Sequence, residues 1–201
     1  MFVQCNGKDV SQIMLTHFWS VCRLILSVSC LTVITACATD ARVDKMIFDG
    51  PRLSYPDDIQ KNIRINTVNG GNEANPLWSS QITTTAFKQS LEKSLAAQRL
   101  LAADAELTLD ATLLEISEPQ VAFDMEVAAT VLYLLVNDTT GEIVFNESIV
   151  APYVAGIEDA MSSAGRLRLA SEGAVLANIE LFLDKLTELD RGVNVSDADS
   201  L

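Results

Sequence analysis

The chain has 201 residues, enough for one domain with a proper core and no need of disulfides or metal to hold it. Apolar residues make up 49% and charged residues 20%, as in globular proteins. Lys and Arg number 14 against 27 Asp and Glu, a formal charge of −13; such an acidic surface repels phosphate backbones and excludes a general nucleic-acid binder.

The first 36 residues read as a targeting segment. Residues 24–36 (LILSVSCLTVITA) carry no charge, and Arg23 stands just before them. A membrane-spanning helix needs about 20 apolar residues, so the run is short for an anchor and suits a secretory h-region. It ends in Ile34-Thr35-Ala36-Cys37, which resembles a bacterial lipobox: aliphatic, small, small, cysteine. Small side chains give a peptidase access to the backbone, and the Cys37 thiol is the nucleophile that takes up a diacylglyceryl group. Cleavage before Cys37 frees an amine for a further acyl chain. Two or more chains anchor stably, so the expectation is a protein held on a membrane by lipid alone. The competing readings are an uncleaved signal anchor and a buried apolar helix with a chance cysteine. Met14 offers a more ordinary start for the leader than Met1. Ala38 follows the cysteine where an Asp would retain the protein in the inner membrane under enterobacterial sorting, so an outer-membrane, periplasm-facing location is expected, with the inner membrane as the alternative.

Removal of the leader changes the chemistry left in the chain. Cys5, Cys22, Cys30 and the one histidine, His17, leave with it, and Cys37 is consumed by lipid. Ser-His-Asp and Cys-His nucleophiles and His-ligated metal sites are thereby excluded from the mature domain. Two cations (Lys8, Arg23) and one acid (Asp9) also leave, so the formal charge moves from −13 to −14.

Residues 37–62 read as a lipidated N-terminus and tether, with Gly50-Pro51 and Pro56-Asp57-Asp58 as turn signals, standing the domain off the bilayer. Residues 63–68 (IRINTV) alternate as a first strand. Gly70 and Gly71 form a loop, and Asn75-Pro76 suits a helix start, with a cap and then Pro at the first position. Residues 79–102 have helical spacing at Ile82, Phe87, Leu91 and Leu95, although Thr83, Thr84 and Thr85 weaken the first turn. The period then changes to two. Leu107, Leu109, Ala111 and Leu113 alternate with polar residues, a strand with one wet face. A longer strand covers residues 123–136, residues 137–141 (NDTTG) make a hairpin turn, and residues 142–150 return. Residues 151–164 are a connection. Residues 166–189 are helical, with Ala170, Ala174, Ala177 and Leu181 as a stripe, and residues 191–201 are expected to be a disordered acidic tail. The domain, residues 63–190, is thus expected to be α+β in the order β-α-β-β-β-α, an antiparallel sheet with two helices packed on one face.

Few constellations carry chemistry. The Gly70-Gly71 loop lacks the spacing of a phosphate loop and is read as a plain turn. Asp104, Glu106 and Asp110 cluster in sequence and are candidates for cation binding or acid–base work, against the commoner reading of surface carboxylates. Trp78 beside Pro76-Leu77 is a candidate partner anchor. Leu132 and Leu134 fall on the strand face that should be wet, so they too are candidate partner contacts.

The motifs Asn75-Pro76-Leu77-Trp78 and residues 166–174 (RLRLASEGA), together with the lipobox and the element order, resemble the YajG-like envelope lipoproteins. That group resembles, in topology, the lipopolysaccharide-assembly lipoprotein and the auxiliary lipoproteins of ABC-type transport. The resemblance implies a domain that works through contacts, with no catalytic residue and no cofactor beyond the lipid on Cys37. The expected function is a non-enzymatic accessory or scaffold in an envelope assembly or transport machine, bound to the membrane and to an envelope protein partner. The alternative is a binding module for a lipid or other hydrophobic ligand.

Overall fold

The computed structural model describes residues 41–71, 82–117 and 124–189. A single 3-10 turn at Val43–Lys45 precedes β1 (Ile63–Gly70), α1 (Thr84–Ala97), β2 (Leu107–Ile116), β3 (Met125–Asn137), β4 (Ile143–Ala155) and α2 (Ser163–Thr187). The order is β-α-β-β-β-α, an α+β fold, as the periodicity predicts. Helix starts are set by hydroxyl caps. Thr83 accepts from the Ala86 amide at 3.1 Å, and Ser162 accepts from the Gly165 amide at 3.1 Å. The cap on Thr83 explains why α1 begins within the threonine run. Arg99 (φ 58) turns the chain out of α1, so the helix stops short of the expected residue 102.

The sheet has the order β1-β2-β3-β4. β2, β3 and β4 form the expected antiparallel meander. β1 joins β2 in parallel, so the sheet is mixed rather than wholly antiparallel. A parallel neighbour needs a crossover connection, and the segment containing α1 supplies it. β4 runs past its expected end at residue 150, through Pro152, to Ala155. Pro152 is tolerated because β4 is an edge strand, where a missing amide donor on the free side costs no ladder bond. The pairing of Leu113 with Val131 shifts to Glu115 with Thr130, a bulge that leaves Leu114 out of the regular alternation.

Both helices lie on the sheet face that carries Leu109, Val131, Tyr133 and Ile149. Tyr133 stacks on Phe182 of α2 with ring centroids 4.0 Å apart and 2° between planes. Asn178, fully buried, closes the polar account in this layer: its Nδ2 donates to the Ala129 and Ile149 carbonyls at 2.9 and 2.8 Å, and its Oδ1 accepts from the Tyr133 hydroxyl at 3.0 Å.

The expected tether is corrected from Ala41 onward. Met46, Tyr55 and Ile59 are buried in the common core, with Phe48 and Leu53 packed against it. Buried polar side chains in α1 and at its C-cap satisfy backbone amides of this irregular stretch. Ser94 accepts from the Phe48 amide at 2.9 Å, and Gln98 accepts from the Leu53 amide at 2.9 Å. At its start, Glu172 of α2 receives the Arg42 amide at 2.8 Å and the Arg42 guanidinium at 3.1 Å. This pairing holds the Arg42 guanidinium above its ordinary range, through the hydrogen bond first and the opposite charge second.

Candidate functional site

Both helices cover one face of the sheet, and among the described residues no element packs on the other. Strand alternation decides what stands there. In β3 the core takes Val131, Tyr133 and Leu135, so Leu132 and Leu134 point to the open face, where both are half-buried. Leu132 lies between Thr112 of β2 and Ser148 of β4, and Leu134 between Asp110 and Asn146. Each leucine is therefore flanked by short polar side chains. Toward the far end of β3 the face becomes more apolar. Thr130 pairs with Val150, which is 57% exposed; Glu126 pairs with Val154, 52% exposed; and the bulge turns out Leu114, 46% exposed. The two leucines thus open a longer apolar strip across three strands. Val154 belongs to it because β4 keeps its alternation beyond Pro152. An expected strand end at residue 150 leaves Val154 outside it, whereas the alternation of Ala151, Tyr153 and Ala155 is the sequence signal that places it in the strand.

The opposite end of the same face is polar and internally paired. Arg64 of β1 meets Thr108 at 3.0 Å and Asp138 at 2.5 Å, and Thr108 donates to the same Asp138 oxygen. Asp110 accepts from Asn66 at 2.9 Å, from the Thr67 amide at 3.0 Å and from the Thr67 hydroxyl. Its carboxylate is committed to the irregular step in β1 between Ile65 and Thr67. The candidate acidic cluster therefore does not converge. Asp110 is held by β1, while the Glu106 backbone receives the Asp138 amide at 2.8 Å. Among the described residues, no group of three His, Cys, Asp or Glu side chains is placed to hold a metal ion.

Gly70, expected in a loop, instead ends β1 paired with Leu113, and Gly71 follows it, with φ of 85° and 92°; a side chain on Gly70 would collide with the Leu113 carbonyl. This close approach and the positive φ give the pair a backbone role. Trp78 and the lipobox residues Ile34, Thr35, Ala36 and Cys37 lie outside the described residues. Among the described residues, no helix is long and apolar enough to cross a membrane. Among the described residues, two grooves open at the margins of the helix–sheet layer, one of about 390 Å³ beside β1 and α1 and one of about 400 Å³ beside β4 and α2.

No family model matches the sequence, and no curated protein matches it. Its fold is similar to that of protein XCC0632 from Xanthomonas campestris, described with the family model DUF330, with a TM-score of 0.55 and 9% identity over 72% of this chain and 93% of that one. A minor lipoprotein from Acinetobacter baumannii aligns with a TM-score of 0.44 and 9% identity over 66% of this chain and 96% of that one. Lipoprotein GNA1162 from Neisseria meningitidis aligns with a TM-score of 0.30 and 14% identity over 62% and 96%. The likeness to the Xanthomonas protein is one of fold.

Proposed function

We propose that the chain is a lipid-anchored protein of the outer membrane, facing the periplasm, that serves an envelope assembly or transport machine as a non-enzymatic accessory. Cys37 carries the anchor, and the open face of the sheet receives a protein partner. The observation that supports the docking role is the uncovered apolar strip of Leu114, Leu132, Val150 and Val154. Apolar area of this kind on a rigid sheet is where partner surfaces gain most from leaving water. The lipobox supports the anchor, and the YajG-like motifs are in keeping with a role through contacts.

The test takes the tagged, lipidated protein in detergent. Cys37→Ala is expected to leave a precursor of full leader length and to abolish palmitate labelling; continued labelling overturns the anchor. Co-purification then compares wild type with Leu132→Asp and Val150→Asp. A stoichiometric envelope protein that is lost from both variants, while their thermal stability stays near wild type, is the expected result. Recovery of the same protein with both variants, or of bound lipid alone, overturns docking on this face.

A further inference from the structure

The packed segment that replaces the tether has a geometric consequence at the membrane. It rests on the lipid anchor at Cys37 proposed above. Cys37 lies four residues before Ala41, where the described chain is already packed on the domain. Four residues span at most ~14 Å when fully extended. An acylated cysteine sits at the boundary of headgroups and hydrocarbon, and the headgroup layer is only about 5–7 Å thick on each side. The domain surface around Ala41 is therefore held against the headgroups.

That surface carries what a membrane contact requires. Arg42 is fixed to Glu172 of α2, and Lys45 lines the same groove as Tyr153, Asp159 and Leu169. The point where the chain enters the domain thus lies beside the end of β4 and the loop into α2. In this loop Ile157 is 51% exposed and Met161 is 99% exposed. The loop is not loose. Asp159 accepts from the Gly156 amide at 2.8 Å, and the Arg166 guanidinium donates to the Ala160 carbonyl at 3.0 Å. An ordered loop that presents a fully exposed methionine gains nothing from it in water. The charges also suit a bilayer. Residues 41–46 and 156–173 hold four cations (Arg42, Lys45, Arg166, Arg168) and four acids (Asp44, Glu158, Asp159, Glu172), a neutral patch in a mature chain of charge −14.

We propose that the β4–α2 loop, with Ile157 and Met161, is a membrane-contact surface that inserts at the headgroup boundary of the bilayer holding Cys37. The domain then has a fixed orientation, with the hairpin end of β4 pointing away from the membrane. Ile143, at that end, lies twelve residues of strand from Ala155, about 40 Å at 3.3 Å per residue.

The mature chain has no free thiol, so a single added cysteine is a unique label site. The lipidated variants Met161→Cys, Ile157→Cys and Ile143→Cys carry an environment-sensitive fluorophore. Each is reconstituted in vesicles of phosphatidylethanolamine and phosphatidylglycerol with brominated acyl chains. Side chains seated about 5–10 Å into the boundary lie within reach of the bromines, so emission at positions 157 and 161 is expected to fall about twofold, with none lost at 143. Vesicle flotation and palmitate labelling run on the same samples. Protein that floats and is labelled, with 157 and 161 quenched no more than 143, overturns the membrane contact and leaves the anchor standing. That outcome is also the one expected if a protein or a second copy covers the loop. Protein that neither floats nor takes palmitate overturns both.

Discussion

Tyr133 shows how one side chain serves two layers. Its ring stacks on Phe182 and its hydroxyl donates to Asn178, which in turn ties α2 to β3 and β4. Burial pushes the phenol well above its ordinary value of 10.0 because the charged form has no water to solvate it. A raised folded-state value means that the stability this group contributes is fully present below pH 10 and is lost as pH rises above it, when the unfolded chain ionises first. The loss approaches about 1.4 kcal/mol per pH unit for one tyrosine. Tyr133→Phe keeps the stack and loses one hydrogen bond, so at neutral pH it should cost about 1 kcal/mol. Above pH 10 the variant should decline less steeply than wild type, and the two stability curves should meet near pH ~11. Urea unfolding midpoints measured from pH 8 upward check this. Parallel curves would mean that Tyr133 reaches water in the folded state. Tyr55, also raised by burial, steepens both curves alike.

At the level of elements, α2 and β4 meet where Gly173 faces Tyr153. Alanine in a helix interior is ordinarily better than glycine by about 1 kcal/mol. Here a Cβ on Gly173 would stand 2.5 Å from Cγ and Cδ1 of Tyr153, at the base of the ring where the side chain has least freedom to yield. Gly173→Ala should therefore destabilise by about 1–2 kcal/mol, and the same change on a Tyr153→Ala background should stabilise by about 1 kcal/mol. Thermal unfolding of the two pairs reads the reversal of sign, and equal signs would refute close packing at this crossing. The same region marks the limit of what the sequence reveals. The Ala170–Ala174 stripe and the two-residue period of Leu107 to Leu113 identify α2 and β2 because each buries one face against a flat layer. The end of β4 is not legible because Pro152 reads as a break unless the strand is known to be an edge. Leu132 and Leu134 were legible as candidates since apolar residues fill both faces of β3, whereas Val154 lay beyond the apparent end of β4. Parallel addition of β1 was hidden, because strand order depends on contacts that local periodicity does not encode. The N-terminal segment was hidden for a related reason. Met46, Phe48, Leu53, Tyr55 and Ile59 follow no period, and their burial depends on Ser94 and Gln98, more than 40 residues away.

For the whole molecule, the decisive matter is whether residues 41–62 behave as tether or as fold. The packing of Met46, Tyr55 and Ile59 places them in the same core as β1 to β4, and the acceptors on α1 and α2 hold the backbone between. Amides of this stretch should then exchange with solvent as slowly as those at the margins of the sheet, where a free tether would exchange within seconds. Glu172 is the local lock. Its carboxylate is almost wholly buried and receives both the amide and the guanidinium of Arg42, with Arg168 3.7 Å away. Glu172→Gln keeps an acceptor for the amide but removes the charge that opposes two arginines. Losing hydrogen bonds to a charged group costs about 1.5–3 kcal/mol, which corresponds to roughly 10–150-fold faster local opening. Hydrogen exchange should show that acceleration in peptides covering residues 41–46, with peptides from β2 unchanged. Acceleration in both would make the segment part of one global unfolding unit; acceleration in neither would mean that the hydrophobic contacts of Met46 suffice without the lock. The distinction bears on reach. With the proposed anchor at Cys37, a segment fixed on the domain would leave four residues between lipid and fold, whereas its full release would add about 70 Å of extended chain. Under the proposed anchor at Cys37, holding the segment down would set both where the domain stands and which face it turns to the membrane.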